Sequence, residues 1–268
     1  MQNLSLSDIY IYPVKSLTGV SLQNSQVFPH GLDNDRLLML IDDNGLFITQ
    51  RKYTQLALLS TSLKNNEFKI KAPNFPDLSI RETDFLKETT YVKVWQSECD
   101  GIVASNEVNK WFSDYLDKSV RLVKYNHNKP RTTNPSYSNS GDIVSYADGY
   151  PLLVISQASL DDLNNRLDVP VTMSHFRPNI VVNGCQAYAE DSWKKIKIGE
   201  VEFDAVKKCE RCILTTVDPE TGVKDINRQP LNTLAEYRKE PAGVMFGMNL
   251  IPRSGGMIRR DDLVEILE

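Results

Sequence analysis

Residues Lys207–Gly222 read KKCERCILTTVDPETG and hold the one closely spaced pair of cysteines in the chain, Cys209 and Cys212. This spacing fits half a zinc site, a redox dithiol, or a thiolate that binds a soft metal carried by a cofactor. Two ordinary buried thiols are a fourth interpretation. Arg211 and the two lysines before the pair add positive charge, which favours the thiolate form that coordinates metals.

The rest of the composition excludes several classes of protein. The chain has 268 residues with 31 basic and 35 acidic side chains, so it lacks the basic excess of a nucleic-acid-binding protein. Leu37–Ile41 is the longest apolar run, whereas a membrane-spanning helix needs about 20 residues. Met1–Ser5 carries no signal-peptide pattern, which predicts a cytoplasmic location. Four cysteines are too few for a disulfide scaffold.

Away from the cysteine pair, short apolar segments rich in Val, Ile, Phe and Tyr predict many strands. Apolar residues at helical spacing predict three helices, over Asn106–Asp117, Ser156–Leu167 and Leu231–Arg238. The helices do not alternate regularly with the strands. This pattern favours a strand-rich α+β fold, a barrel or sandwich with packed helices, over a doubly wound parallel sheet.

Two other features have structural interpretations. The polar stretch Tyr125–Ala147 is either a surface linker or an access lid over a site. Trp95, Trp111 and Trp193 are predicted to anchor hydrophobic cores, because large aromatic side chains bury much area.

The cysteine stretch resembles the signature of the MOSC family of molybdenum-cofactor proteins, and its amidoxime-reducing branch in particular. Further motifs similar to those of the same proteins follow in family order. They are Ile11–Ser16, Gly31–Arg36, Tyr146–Leu153, Phe176–Val182, Ala189–Trp193 and Phe246–Leu250. An ordered series over nearly the whole chain is far more specific than any one motif.

The resemblance implies a MOSC β-barrel with packed helices, preceded by an N-terminal β-rich domain. We expect this N-terminal domain in residues 1–120 and the MOSC domain in residues 121–268. It also implies a pyranopterin molybdenum cofactor, with Cys212 as the protein ligand of the metal. Cys209 is interpreted as a small packed residue near the site.

The resemblance also points to a set of cofactor-binding positions. They are Lys15, Ser16, Arg36, Asp148, Gly149, Tyr150, Arg177, Asn179, Arg211, Cys212 and Asn249. Lysine and arginine suit a phosphate, and arginine also suits the planar edge of a pterin. Gly149 and Tyr150 replace the Thr-Ser of some relatives, so backbone contacts are expected there. Asn249 stands where some relatives carry Tyr.

Asp148 is the second candidate catalytic residue, beside Cys212. An acidic residue of the family faces the metal at this point, and in a partly desolvated pocket it could hold or deliver a proton. The alternative is a simple turn residue, because Asp148-Gly149 is also a good turn dipeptide.

The activity that the resemblance implies is molybdenum-dependent reduction of amidoximes, hydroxylamines or N-hydroxylated bases. The alternatives are a cofactor-binding or persulfide-transfer module, and more remotely a zinc or redox protein. No cysteine follows Cys212, so a C-terminal 2Fe–2S domain like that of some relatives is not expected. We therefore expect a separate electron donor, such as a flavin reductase, a ferredoxin or a cytochrome.

Overall fold

The described residues of the computed structural model, 3–65 and 67–268, are built mainly from strands. The strands are β1 Ser5–Ile11, β2 Val20–Leu22, β3 Asn24–Phe28, β4 Gly31–Leu32, β5 Leu38–Ile41, β6 Ser60–Lys64, β7 Glu67–Ala72, β8 Phe75–Ile80, β9 Phe85–Val94, β10 Ser97–Ala104, β11 Arg121–Tyr125, β12 Arg131–Thr132, β13 Ile143–Val144, β14 Leu152–Ser156, β15 Ile180–Asn183, β16 Lys195–Ile198, β17 Val201–Arg211, β18 Lys239–Glu240, β19 Gly243–Pro252, β20 Gly256–Arg259 and β21 Val264–Ile266. The α-helices are α1 Asn106–Leu116, α2 Gln157–Asn164 and α3 Leu231–Tyr237. Single turns of 3₁₀-helix cover Thr54–Leu58, Glu82–Asp84, Met173–His175, Ala189–Ser192 and Ile213–Thr216. The prediction of a strand-rich α+β fold is confirmed.

The largest sheet has nine strands and joins both ends of the chain. Its order is β2-β1-β15-β14-β19-β17-β16-β21, with β18 beside β19. β14 and β15 run parallel and are connected through α2, whereas β1 pairs with β15 antiparallel. The sheet is therefore mixed, and it is not the parallel sheet of a doubly wound fold.

A second sheet has the order β5-β11-β10-β9, and its core packs under α1. α1 begins at Ser105, whose hydroxyl accepts the backbone N–H of Val108, and it buries Phe112 and Leu116. β11 lies after residue 120 but pairs with β5 and β10, while β1 pairs with β15. Hydrogen bonding thus crosses the boundary expected at residue 120, and that division stays a prediction.

The three predicted helices are confirmed, although α2 ends at Asn164 instead of Leu167. Several strands escaped prediction because their apolar residues are few. β10 has the sequence SECDGIVA, and it is stabilised mainly by its pairing with β9 and β11. Strands of this kind depend on cross-strand contacts that a local pattern does not show.

Trp95 does not anchor a core, and that prediction is wrong. Its side chain is 42% exposed, whereas Trp193 is 3% exposed within the core of the large sheet. Trp111 packs at the edge of the core beside α1 and donates a hydrogen bond to the carbonyl oxygen of Pro76. Trp95 is more exposed than Trp193, and its contacts are with Asp148, Arg51 and the ring of Phe47.

The polar stretch Tyr125–Ala147 contains the short hairpin of β12 and β13. Its Arg131 is 4% exposed and donates hydrogen bonds to the carbonyl oxygens of Ser145 and Asp148, at 3.0 and 2.8 Å. These bonds tie the stretch to the segment that follows it. The stretch is therefore held in place by hydrogen bonds and is not a free surface linker.

Candidate functional site

A cavity opens where the N-terminal segment meets the ends of β17 and β19. Every predicted cofactor-binding position lines this cavity, from Lys15 near the N-terminus to Asn249 in β19. Phe47, Arg51 and Cys209 line it as well. The fold thus brings residues from the first and the last of the matching motifs into one cavity.

Cys212 reaches the cavity at the end of β17. The pairing of β17 with β19 shifts register between Lys208 and Glu210, and a bulge of this kind redirects side chains. Cys212 itself is extended, with φ −124° and ψ 179°, and leads into the 3₁₀ turn Ile213–Thr216. Three residues of extended chain span about 10 Å, beyond the Cα separation of a disulfide. This backbone therefore disfavours the interpretation of Cys209 and Cys212 as a redox dithiol.

Arg211 connects the cysteine motif with the backbone at Phe176. Its Nη1 donates to Cys209 Sγ at 3.1 Å, and its Nη2 donates to the carbonyl oxygen of Phe176 at 2.6 Å. Its Nε is buried without a hydrogen-bond partner. Arg51 Nε and the hydroxyl of Tyr150 are buried in the same way. Buried donors are normally satisfied, so three unpartnered ones around a cavity indicate a polar ligand with acceptor atoms.

Lys15 and Asp148 form an ion pair inside the cavity. Lys15 Nζ lies 2.5 Å from Asp148 Oδ1 and donates to the carbonyl oxygen of Tyr146 at 2.7 Å. Burial lowers the pKa of Lys15 from 10.5 to about 8, although the Asp148 carboxylate opposes this shift. Partial desolvation by the surrounding protein raises the pKa of Asp148, but attraction to Lys15 and Arg51 outweighs this effect and holds that pKa well below 3.8. Asp148 is therefore ionised at neutral pH.

Arg36 and Arg177 lie against one tyrosine. Their guanidinium carbons are 4.4 and 4.1 Å from the ring centroid of Tyr12. Arg36 Nη1 donates to the buried Asp35 at 2.7 Å and to Asn179 Oδ1 at 3.1 Å. Burial lowers the pKa of Arg177 to about 10, with the neighbouring tyrosine opposing the shift. The arginines are thus held in place before any ligand enters.

The side chain of Asn179 forms its hydrogen bonds with other residues of the protein. Its Oδ1 accepts from Arg36 and from the backbone N–H of Leu153, and its Nδ2 donates to the carbonyl oxygen of Tyr10. Asn179 therefore orients Arg36. A hydrogen bond from Asn179 to a pterin or a phosphate stays a prediction. Asn249 is also oriented by the protein, through its Nδ2 and the carbonyl oxygen of Lys207 at 2.9 Å.

The remaining predicted positions contribute backbone and shape. Ser16 is 8% exposed and directly follows Lys15. Gly149 has open space where a side chain would begin, so its backbone is accessible from the cavity. Burial raises the pKa of Tyr150 to about 12, which keeps its hydroxyl protonated and able to donate.

Strained backbone occurs at three positions that line the cavity. Ser16, Arg36 and Arg177 have φ angles of 74°, 51° and 56°, in the left-handed region that side chains other than glycine rarely adopt. Trp95 has φ 56° and contacts the cavity wall through Asp148. Such strain persists where the surrounding structure enforces it, and it occurs most often at functional sites.

Sequence reasoning missed three residues that hold Asp148. Trp95 Nε1 donates to Asp148 Oδ1 at 3.1 Å, and Arg51 Nη2 lies 3.5 Å from Asp148 Oδ2. Arg131 binds the backbone carbonyl of the same residue. They lie outside the matching motifs, and the sequence carried no signal that would have selected them.

A second cavity of about 230 Å³ adjoins the first, and Arg177 and Leu214 line both. Gln50 lines this second cavity, is 4% exposed and has an unpartnered Oε1. Within residues 3–65 and 67–268, no three His, Cys, Asp or Glu side chains are grouped as ligands for a metal ion. The arrangement predicted for Cys212 needs no such group, because a single protein thiolate would ligate the metal.

Comparison with known proteins agrees with this architecture. Residues 3–119 match the MOSC N-terminal beta barrel domain, and residues 141–265 match the MOSC domain. The fold and its thiol-bearing, cationic cavity are thus those of a MOSC-domain protein.

The more specific relationship comes from whole-chain relatives. Mitochondrial amidoxime reducing component 2 of Rattus norvegicus is 36% identical, over 97% of this chain and 82% of the rat protein. Mitochondrial amidoxime-reducing component 1 of Mus musculus is 35% identical, over 98% of this chain and 82% of the mouse protein. The corresponding figures for component 1 of Homo sapiens are 34%, 98% and 83%. The chain belongs to the family of the amidoxime-reducing components.

Among the described residues, no helix combines the length and apolar character needed to cross a membrane.

Proposed function

We propose that this protein is a molybdenum-cofactor-dependent reductase of N-hydroxylated compounds. Amidoximes, hydroxylamines and N-hydroxylated bases would be reduced to the amidine or amine, with release of water. The observation that carries the proposal is the convergence of the Cys212 thiol, three unpartnered donors and several cations on one cavity. The relatives named amidoxime-reducing components support the substrate class.

The residues of the cavity fit a pyranopterin cofactor that ends in a phosphate. Cys212 offers the soft thiolate that a transition metal of this kind prefers. Arg211 Nε and the hydroxyl of Tyr150 are buried donors that need acceptors, and a pterin or phosphate has them. Lys15 and Arg177 add positive charge to the lining of the cavity. We assign the cofactor to this cavity on the chemistry of these side chains.

The reaction consumes two electrons and two protons for each N–O bond that breaks, and it yields one N–H bond and water. The bound cofactor supplies the two electrons at the metal. Lys15 is the better proton donor of the ion pair, because its pKa is about 8 while that of Asp148 lies well below 3.8. In this proposal Asp148 holds the Lys15 ammonium in place and does not itself deliver the proton.

We propose that a second protein supplies the electrons, such as a flavin reductase, a ferredoxin or a cytochrome. A cytoplasmic location is likewise kept as a proposal, although several relatives are named as mitochondrial proteins.

The test is the Cys212→Ala variant, produced with wild-type protein in a host that makes the cofactor. We expect a folded protein that has lost molybdenum and no longer reduces benzamidoxime with a chemical electron donor. Cys209→Ala is the matched control, because it removes the neighbouring thiol of the same cavity and should retain bound metal. Full activity and full metal content in Cys212→Ala would contradict the proposal.

A second candidate function is a persulfide carrier. It is favoured by the hydrogen bond from Arg211 to Cys209, since a neighbouring cation activates a thiol. Purified protein incubated with thiosulfate, whose outer sulfur is transferred as sulfite leaves, would then carry one extra sulfur on Cys209 by mass spectrometry. It would also show no reduction of benzamidoxime when molybdenum is bound.

A further inference from the structure

Trp95 occupies a backbone position that does not suit a tryptophan. Val94 pairs with Ser97, so Trp95 and Gln96 form a two-residue loop between β9 and β10. Residues with positive φ in such loops are usually Gly, Asn or Asp, yet Trp95 has φ 56°. A bulky residue in this region is a genuine outlier. Retention of such a residue indicates a role for its side chain.

The strained hairpin tip is held against the wall of the main cavity. Trp95 Nε1 donates to Asp148 Oδ1 at 3.1 Å. The guanidinium carbon of Arg51 lies 4.3 Å from the indole centroid, and the Phe47 ring meets it edge-on at 5.0 Å. All three of these partners line the cavity. Trp95 therefore has a fixed orientation at the cavity rim.

Despite these contacts, 42% of Trp95 is exposed. Trp95 thus presents an exposed aromatic side chain beside a polar cavity. Aromatic side chains in such places bind flat, conjugated groups through offset stacking.

The charge of the cavity limits which flat groups can bind. Lys15, Arg51 and Arg211 line it, and Asp148 is already paired with Lys15 and Arg51. Arg51 is the cation beside the indole of Trp95, so a positively charged group stacked there would meet unfavourable electrostatics, whereas a neutral one would not. Amidoximes and N-hydroxylated bases are neutral and planar, in contrast to protonated alkyl amines.

We propose that Trp95 is a specificity-determining residue that stacks on the conjugated part of neutral, planar N-hydroxylated substrates. The inference rests on the proposed function. In this inference, the part of the substrate that does not react binds at the rim of the cavity beside Trp95. The protein should therefore prefer aromatic substrates over small aliphatic ones.

The experiment compares Trp95→Gly and Trp95→Phe with wild-type holoenzyme, using benzamidoxime and acetamidoxime as matched substrates. Glycine suits the loop, so this variant should fold, and phenylalanine keeps an aromatic ring while losing the indole N–H. We expect Trp95→Gly to raise the KM of benzamidoxime about five- to tenfold and that of acetamidoxime less than twofold. Trp95→Phe should keep most of the preference.

Trp111→Phe is the control, because it removes an indole N–H that is bonded to Pro76, and neither residue lines the cavity. Equal changes for both substrates in Trp95→Gly, or no change for either, would overturn the inference while the proposed function stands. Binding is also read without turnover, by quenching of Trp fluorescence as benzamidoxime is added in the absence of an electron donor. If wild type reduces neither substrate, the proposed function fails. Trp95-dependent quenching would then still support stacking, and its absence would refute it.

Discussion

Lys15 and Asp148 lie 133 positions apart in the chain, yet the Nζ of Lys15 is 2.5 Å from the Oδ1 of Asp148. The side chain of Lys15 is 8% exposed and that of Asp148 is 59% exposed. Lys15 is thus the buried partner, and the Asp148 carboxylate stabilises its charged ammonium form. This asymmetry determines how the pair should respond to mutation and to pH.

Asp148→Asn should lower the free energy of unfolding by about 1–2 kcal/mol near pH 5, less than for a fully buried pair because Asp148 faces solvent. The Lys15 pKa is about 8 in the folded protein and should fall further without its counter-ion. As pH rises toward 8, the folded variant releases this proton while the folded wild type keeps it, so the variant gains stability relative to wild type. The difference in the free energy of unfolding between wild type and Asp148→Asn should therefore shrink as pH rises to about 8 and then stay constant.

Urea unfolding at several pH values between 5 and 9 would measure this difference. Asp77→Asn is the control, because Asp77 pairs only with exposed lysines, Lys69 and Lys71, in the described structure. A deficit for Asp148→Asn that does not change with pH would show that Lys15 is not the titrating group.

Arg131→Met should lower the free energy of unfolding by about 2–3 kcal/mol. The substitution conserves much of the side-chain volume but leaves the carbonyl oxygens of Ser145 and Asp148 without their donor. Because Arg131 holds the backbone of Asp148, the KM of benzamidoxime should also rise. Thermal and urea unfolding measure the first effect, and steady-state kinetics the second. Arg259→Met, at an exposed position, should change stability by less than about 0.5 kcal/mol.

Gly247→Ala should destabilise the protein by about 2–3 kcal/mol. Gly247 has φ 84°, and an added Cβ would lie 2.7 Å from a side-chain carbon of Ile155 and 2.9 Å from the carbonyl oxygen of Val154. Gly149→Ala is the matched comparison, since nothing lies within 4 Å of its Cβ position. Its unfolding midpoint in urea should stay close to wild type. Equal losses in both variants would contradict this account.

Arg211→Lys should weaken retention of the cofactor by about tenfold or more. Lysine keeps the charge, but its single nitrogen cannot replace the planar fork in which two nitrogens of Arg211 reach Cys209 and Phe176 and a third is left for a ligand. Molybdenum per chain after extended dialysis measures the effect. Lys208→Arg changes a cation on the same strand that pairs with Glu240 outside the cavity, and it should retain wild-type metal content. Unchanged retention in Arg211→Lys would remove this arginine from the proposed cofactor site.

The fold class and helices could be predicted because they follow from local patterns. Val108, Phe112 and Leu116 recur at helical spacing in the sequence and form the buried face of α1 in the structure. β10 could not be predicted in the same way, because its stability comes from the strands on both sides of it. The positions of the cavity were found through ordered motifs, each of which is a local feature.

The motifs of the sequence identified part of the cavity lining, including Lys15, Arg177 and Cys212, since each of these belongs to a motif readable along the chain. Only the tertiary structure decided what these residues do to one another. Asp148 is held by Lys15 and by Trp95, which lies 53 positions before it, and Asn179 is already bonded to Arg36. The physical reason is that pKa values, strain and hydrogen-bond capacity depend on neighbours in space. Most of those neighbours come from distant segments, which only the folded chain brings together.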